Sequence, residues 1–179
     1  MSQKDHLMEI EGVRMDVPSS QPVVVLREAD GSRYLPIWVG SSEATSIVFA
    51  VQGLEPPRPL THDLLLSVAS SFGRTLERVR VHLVEDTVFH ASLVFDDGTV
   101  VDSRASDAIA LAVRVDCPVL CADSVLETAG LIMTADGELR DPADAPAERA
   151  EPASAEEADQ EVREFRDFLD TVDPEDFQG

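Results

Sequence analysis

The chain has 179 residues, of which 44% are hydrophobic, and its formal net charge at pH 7 is −21. That length allows one domain with an appended segment, or two very small domains, and is enough to bury a hydrophobic core. So acidic a surface repels phosphate at long range, which argues against a basic nucleic-acid coat protein or a binder of anionic membranes. No apolar run reaches the roughly 20 residues that a bilayer-spanning helix needs, so we expect no membrane segment.

The negative charge is concentrated in the last quarter of the chain. Residues 1–135 hold 10 Lys and Arg against 19 Asp and Glu, whereas residues 136–179 hold 4 against 16. The first residues lack the basic and apolar regions of a signal peptide, and two cysteines, Cys117 and Cys121, do not make a disulfide framework. We therefore expect a cytoplasmic protein with reduced thiols.

The first third of the sequence predicts strands followed by a helix. Three strands are expected, at 6–15, 22–27 and 33–39. Asp30-Gly31 lies between the last two and is typical of a hairpin turn with positive φ angles. After it, Ser41 or Ser42 can cap a helix that runs to about Gln52.

The middle of the chain predicts a second helix and a hairpin. Thr61 is expected to cap a helix whose apolar residues keep a 3.6-residue period, namely Leu65, Val68, Ala69 and Phe72. Residues 76–101 alternate between apolar and polar side chains, as the strands of a hairpin do. Further elements are expected at 99–102 (strand), 106–114 (helix), 117–121 (strand) and 124–128 (helix).

A short internal repeat indicates a duplicated unit. Asp30-Gly31 and Asp97-Gly98 each lie in a predicted hairpin, and each is followed by a strand and a helix that opens Ser-acid-Ala, at Ser42 and at Ser106. Together these elements predict an α+β fold with a mixed, largely antiparallel sheet, helices, and an internal duplication of a hairpin–strand–helix unit.

Composition divides the chain into a domain at 1–135, an acidic linker at 136–160 and a C-terminal helix and tail at 161–179. The linker is rich in Ala, Pro, Glu and Asp and has little to bury, so we expect it to be disordered. Apolar side chains then return at helical spacing, at Val162, Phe165, Phe168, Leu169 and Val172. We expect an amphipathic helix that docks on its own domain or on a neighbouring chain.

Reactive side chains are concentrated at two predicted helix starts. At the first, Arg58 and Thr61 could bind a phosphate, because a helix N-terminus presents unpaired N–H groups and partial positive charge. His62 would act there as general acid or base, beside the carboxylate of Asp63. The structural alternative is that Thr61 caps the helix, Asp63 complements its dipole and Arg58 pairs with an acid.

The second start opens a helix that is apolar on nearly every side and is therefore expected to be buried. Asp102 and Asp107 could hold Mg²⁺ or Mn²⁺ and take part in catalysis, while Arg104 and Ser106 bind a phosphate. The structural alternative is a capping cluster, in which Ser106 bonds backbone N–H groups and Arg104 pairs with Asp102 or Asp107.

A third group of polar residues lies on one face of the predicted hairpin, at Arg78, Arg80, His82, His90 and Ser92. With a turn centred on Asp86, His82 lies opposite His90. This patch could follow a nucleic-acid backbone or receive the acidic tail, although a solvated sheet face is the simpler interpretation. Two histidines lack the further ligands of a zinc site, and Cys117 and Cys121 are expected to be small buried hydrophobes.

Three motifs resemble, in order and spacing, the bifunctional nuclease domain family over roughly residues 6–134. They are Leu35-Pro-Ile-Trp-Val-Gly40-Ser-Ser-Glu-Ala44, Arg58-Pro-Leu-Thr-His-Asp63 and Asp102-Ser-Arg-Ala-Ser-Asp-Ala-Ile-Ala-Leu-Ala112. The resemblance implies an α+β domain with an internal duplication, commonly oligomeric, and a nuclease that acts on DNA and RNA. The third motif more often reads Arg-Pro-Ser-Asp-Ala in that family; here Ala105 replaces the proline.

The hypothesis is therefore a nuclease with one cleft and a divalent metal on its carboxylates, which would offset the acidic surface. Its cleft would be lined by Arg58, His62, Asp63, Asp102, Arg104, Ser106 and Asp107. The competing class is a non-enzymatic interaction or regulatory protein whose motifs are packing and capping signatures. A third class is a sensor of small anions that uses a helix start.

Overall fold

The computed structural model of the chain describes residues 4–16, 19–85, 88–134 and 137–142. The helix and tail predicted at 161–179, and most of the predicted linker, lie outside these residues. The strands are β1 (Asp5–Asp16), β2 (Gln21–Glu28), β3 (Arg33–Trp38), β4 (Leu76–Glu85), β5 (Val88–Phe95), β6 (Val100–Arg104), β7 (Val119–Ala122), β8 (Leu131–Met133) and β9 (Leu139–Arg140). The helices are α1 (Ser41–Val51), α2 (Thr61–Ser71), α3 (Ala105–Val115) and α4 (Asp123–Ala129).

One nine-stranded sheet has the order β6-β5-β4-β7-β1-β2-β3-β8-β9. Strand β7 lies between two three-stranded meanders, and it pairs in parallel with β4 and antiparallel with β1. The two meanders therefore run in opposite directions, as a pseudo-twofold axis through the sheet requires. All other strand pairs in the described part of the chain are antiparallel. The predicted α+β fold with a mixed, largely antiparallel sheet is confirmed.

The two meanders repeat one order of elements, in agreement with the predicted duplication. The hairpin β2–β3 is followed by α1, and the hairpin β5–β6 is followed by α3. Their turns differ in detail. Gly98 has a φ of +81°, as expected, whereas Gly31 does not adopt a positive φ. A Cβ at position 31 would lie 2.1 Å from the Glu28 carboxylate, so a larger residue there would have to displace that side chain.

The hydrophobic core lies between the sheet and helices α1, α3 and α4. Helix α3 contributes most of the buried helical residues, including Ala108, Ile109 and Ala110, which have no exposed surface. Its small side chains let α3 lie close to both α1 and the sheet. Across from it, Val79, Val81 and Ala91 of the sheet are equally buried, and full burial of a Val or Ile side chain contributes about 1.5–3 kcal/mol.

Helix α2 contributes little to this core, because its most apolar side faces solvent. None of its residues is buried. The exposed fractions are 57% for Leu64, 46% for Leu65, 47% for Val68 and 79% for Phe72. The predicted periodic stripe is thus helical but is not a core face. The opposite side of α2, which carries His62 and Asp63, is the one that contacts α1 and α3.

The predicted helix caps are wrong in detail. The cap positions are Gly40, Leu60 and Arg104, one residue or more before the expected residues, which were Ser41 or Ser42 for α1, Thr61 for α2 and Ser106 for α3. None of the three makes a side-chain cap hydrogen bond. At α2 the carboxylate of Asp63 instead accepts a hydrogen bond from the backbone N–H of Leu60, at 2.8 Å, and so stabilises the helix start from its third position.

Two short strands, β8 and β9, were not predicted. They pair with each other, and β8 also pairs with β3 at Arg33 and Tyr34. Strand β9 lies within the segment predicted as linker, so the sheet extends past residue 135. Among the described residues no helix is long and apolar enough to cross a bilayer.

An ionic cluster ties β1, β2, β3 and α4 together at one end of the sheet. His6 lies between two carboxylates, with Nδ1 2.7 Å from Glu28 Oε1 and Nε2 2.6 Å from Asp123 Oδ1. Arg33 donates two hydrogen bonds to Glu28, both at 2.9 Å. These bonds from Arg33 hold the pKa of Glu28 below its usual value, although burial opposes the shift and His6 adds to it.

Candidate functional site

Three helices bring polar side chains together in one group, the helix-start cluster. Its centre is His62 of α2, whose Nδ1 lies 2.9 Å from Oγ of Ser46 on α1. On the other side of the ring, Nε2 lies 3.1 Å from Oδ1 of Asp107 on α3. The cluster is completed by four charged residues around these three, Glu43, Asp63, Arg104 and Arg114. The two helix starts singled out in the sequence are therefore joined through one imidazole ring.

Arg104 forms the exposed side of the cluster. Its Nε and Nη2 donate to the two oxygens of Asp107 at 2.7 and 3.0 Å, and Nη1 lies 3.0 Å from Glu43 Oε1. The bonds from Arg104 lower the pKa of Asp107, against burial and with a further contribution from His62. In return, the carboxylates of Asp107 and Glu43 raise the pKa of Arg104. This pair is thus fully ionised at neutral pH.

Arg114 forms the buried side of the cluster, with 8% of its side chain exposed. It donates from Nε to Asp63 Oδ1 at 2.6 Å, from Nη2 to Ser46 Oγ at 3.1 Å and from Nη1 to the Ala110 carbonyl at 2.9 Å. Burial by itself would raise the pKa of Asp63, but the hydrogen bonds from Arg114 and Leu60 outweigh it and lower the pKa. Arg114 therefore fixes α2 and α1 against α3.

Both ring nitrogens of His62 have defined partners. The carboxylate of Asp107 can only accept, so Nε2 carries hydrogen, and in the neutral ring Nδ1 accepts from the Ser46 hydroxyl. If the ring gains a proton, Ser46 Oγ can accept from Nδ1 instead, since Arg114 occupies only one of its two lone pairs. His62 can therefore hold an additional proton without losing a hydrogen bond, which is what a general base requires.

Not every predicted site residue joins the cluster. Asp102 lies on β6 with 71% of its side chain exposed, and His90 Nδ1 is 3.3 Å from its Oδ1. Thr61 is exposed at the first position of α2, whereas Ser106 is buried at the second position of α3. Arg58 is exposed ahead of α2 and forms no ion pair with any described residue.

Three members of the cluster were not predicted: Glu43, Ser46 and Arg114. Two signals in the sequence point to them. Glu43 occupies the same place in the first Ser-acid-Ala motif as Asp107 does in the second, and Arg114 is a lone charge in an apolar helix, which must find partners if it is buried. No local signal marks Ser46, because its contacts depend on how α1 and α3 pack.

The predicted metal ligands have other partners in this structure. Asp107 is bonded to Arg104 and His62, and Asp102 to His90. Within the described ranges, no three His, Cys, Asp or Glu residues are grouped so that they could hold a metal ion. A cation on Asp107 would have to take the place of Arg104.

The polar face of the β4–β5 hairpin is partly neutralised. His82 is paired in register with His90, as predicted, and their ring centroids are 6.5 Å apart. Arg80 Nε donates to both carboxylate oxygens of Asp5 at 2.8 and 2.9 Å. Of the two thiols, Cys121 is buried as expected, and burial raises its pKa to about 12. Both thiols are free.

The fold and the cluster define an α+β domain in which two repeated units place their helix starts at one polar site. A sequence model of the bifunctional nuclease domain matches residues 24–134, which contain the whole helix-start cluster. Two uncharacterised proteins of Mycobacterium tuberculosis, from strains CDC 1551 / Oshkosh and ATCC 25618 / H37Rv, are each 44% identical over 131 residues, covering 73% of this chain and 80% of theirs. The chain belongs to the bifunctional nuclease domain family.

Proposed function

We propose that the protein is a nuclease that hydrolyses phosphodiester bonds of DNA and RNA at the helix-start cluster, in the cytoplasm. One observation carries the proposal: Asp107 is shared between the imidazole of His62 and the exposed guanidinium of Arg104. Phosphodiester cleavage needs a group that carries a proton and a positive charge that binds the phosphate. Asp107 holds His62 for the first role and Arg104 for the second. Membership in the family supports the class of activity.

Arg104 is the phosphate-binding residue of the proposal. Its side chain is 66% exposed, and its contacts to Asp107 and Glu43 use three of the five guanidinium N–H groups. The remaining two are free to bind phosphate oxygens. Arg58 and Thr61, exposed at the start of α2, would extend the contact along the substrate. Arg58 would add positive charge to a surface that is otherwise acidic.

His62 is the proton carrier. It would take a proton from the attacking water or ribose hydroxyl and hold it between Ser46 and Asp107. Since both ring nitrogens are occupied, substrate must displace Asp107 from Nε2, and Asp107 keeps its bonds to Arg104 when it leaves. The ring hydrogen would then lie on Nδ1 and be donated to Ser46 Oγ, so that Nε2 has a free lone pair for the incoming proton. Asp63 acts as a positioning residue, because it links the start of α2 to Arg114.

A divalent cation, Mg²⁺ or Mn²⁺, on Asp102 and Asp107 is the metal-dependent form of the proposal. In that form Asp107 would hold the cation in place of Arg104, and Arg104 and Ser106 would contact the phosphate. Two carboxylates are fewer than the oxygen ligands that Mg²⁺ usually takes, so water or substrate oxygens would complete the set. Chelation by EDTA distinguishes this form from the metal-independent one.

The test is cleavage of single- and double-stranded DNA and RNA by highly purified protein, with and without EDTA. His62→Ala and Asp107→Asn should each lower the rate at least about 100-fold, the usual contribution of a general acid or base. His82→Ala, on the sheet face, is the matched control and should retain full activity. Cleavage that elutes with contaminating fractions, or that survives both cluster substitutions, would contradict the proposal.

The second candidate is a non-enzymatic interaction or regulatory protein, which includes a sensor of small anions at Arg104. It is favoured by the completeness of the cluster, in which each charged group has an opposite charge beside it. In that case purified protein cleaves nothing, and the same substitutions lower only its stability. The homo-oligomer that the family resemblance implies is part of either proposal, and light scattering on the purified protein measures its size.

A further inference from the structure

Helix α2 presents an uncharged apolar face to solvent. Leu64, Leu65, Val68 and Phe72 lie within about 100° of the helix circumference, and each is roughly half exposed or more. From Leu64 to Ser71 the helix carries no charged residue. A surface helix normally turns its polar side to water, so a continuous apolar stripe of this kind indicates a surface that another segment covers.

We infer that the segment Glu161–Val172 of the same chain covers this face as an amphipathic helix. Its apolar residues, Val162, Phe165, Phe168, Leu169 and Val172, fall within about 120° of a helix. Its stripe would be about 15 Å long and that of α2 about 12 Å, at 1.5 Å per residue. Two stripes of similar length and width can pack side by side as a helix pair.

The connection is long enough for the segment to reach α2. Nineteen residues lie between the last described residue, Pro142, and Val162. A flexible chain of that length has a root-mean-square span of about 25 Å, and a domain of this size has a radius of gyration of about 14 Å. Tethering also gives the segment an effective concentration in the millimolar range, so a small contact area is sufficient.

Area favours this segment over a second copy of the chain, and local charge is compatible with it. Arg58 precedes α2 without an ion pair to any described residue, whereas Arg74, which follows α2, pairs with Asp97. Residues 161–173 hold five acidic residues against two arginines, Arg163 and Arg166. The four exposed side chains of α2 also offer on the order of 400 Å², about half of the ~800 Å² per partner of a standard interface.

The experiment is hydrogen–deuterium exchange of the full-length protein, followed by mass spectrometry, at two protein concentrations. One variant is Phe72→Asp on α2, and the other combines Phe165→Asp and Leu169→Asp in the segment. Val100→Asp is the control, since Val100 on β6 is also an exposed apolar residue, 60% exposed. Light scattering of each sample reports its oligomeric state.

We expect the amides of 162–172 to exchange at least about tenfold more slowly in the wild type than in either variant, at both concentrations. The amides of 64–72 should lose protection in the same two variants, and Val100→Asp should change neither set. An unprotected segment in the wild type would overturn the inference. So would protection that Phe72→Asp leaves intact, protection that falls on dilution, or a dimer that Phe72→Asp converts to a monomer.

Discussion

At the scale of single residues, two arginines of the helix-start cluster, one buried and one exposed, engage their partners with different results. Arg114 satisfies three acceptors from within α3 and leaves the cluster closed on its inner side. Arg104 engages two carboxylates at the surface and keeps donors for a ligand. The buried Arg114 therefore holds the helices together, whereas the exposed Arg104 keeps N–H groups available to bind a ligand.

Glu28, at the other end of the sheet, should contribute to the pH dependence of stability. Arg33 lowers the pKa of Glu28 from the usual 4.5. A lowered pKa stabilises the folded state above the unfolded-state pKa, and the stabilisation is lost as pH falls through the folded-state pKa. Glu28→Gln should therefore lower the free energy of unfolding at pH 7 by about 1–3 kcal/mol and flatten its decrease below about pH 5.

Urea unfolding between pH 3 and pH 7 measures both effects. Glu127→Gln is the control, because Glu127 is exposed on α4 and should change stability by less than about 0.5 kcal/mol. An acid limb of equal steepness in Glu28→Gln and the wild type would show that the ionic cluster of His6, Glu28, Arg33 and Asp123 does not govern acid unfolding.

At the scale of elements, the sequence was sufficient for the order and type of every helix and of the first seven strands. Hydrophobic periodicity carries that information, because most elements present an apolar side to the core; α2 keeps the helical period although its apolar side faces solvent. Strands β8 and β9 are only three and two residues long, too short to show a period. The orientation of α2 was not predictable either, since its polar side is held inward by Arg114, a contact that only the packing of α3 creates.

The same limit applies to the site. Helix-start chemistry pointed to His62, Asp63, Arg104 and Asp107, and these do come together. Ser46, which bonds the imidazole from α1, has no distinguishing sequence context. The hypothesis groups Asp102 with Asp107 because only four residues lie between them in the chain, yet the change from strand to helix there gives Asp102 a different partner, His90.

Helix α3 should be the element least tolerant of larger side chains. Ala108 has no exposed surface, and α3 packs against both α1 and the sheet. Ala108→Leu should lower the free energy of unfolding by about 1–3 kcal/mol, because extra methylenes force side chains and backbone apart. The control is Ala69→Leu on α2, where an open groove of about 500 Å³ can accept the added volume. Equal unfolding midpoints for the two variants would contradict tight packing of α3.

At the scale of the whole molecule, the net charge of −21 divides into parts with different consequences. Residues 136–179 carry most of the excess of acidic residues, and they lie largely outside the described structure. The domain itself is less acidic, and it places two exposed arginines, Arg58 and Arg104, around the start of α2 and α3. Substrate binding at the proposed site would depend on this local charge and not on the overall field.

The salt dependence of cleavage should therefore be shallow. Each phosphate contact on duplex DNA contributes about −0.9 to the slope of log affinity against log salt, so two arginines predict a slope near −2. Arg58→Gln should reduce its magnitude by about one. Steady-state measurement of 1/KM from 50 to 300 mM salt provides the slope. A value of −6 or steeper would place the nucleic acid on a larger basic surface than this site.

The position of β7 in the chain determines when the pairing of the sheet can be completed. His6 on β1 contacts Asp123, which follows β7 and lies 117 residues further along the chain. During synthesis the first meander can form early, but its inner edge has no neighbour until β7 has been made, and β4 joins the same strand from the other side. Such distant pairings give the domain a high contact order, for which slow folding is expected. Neither repeated unit can therefore complete its pairing in the sheet until the ribosome has synthesised β7, the strand that joins them.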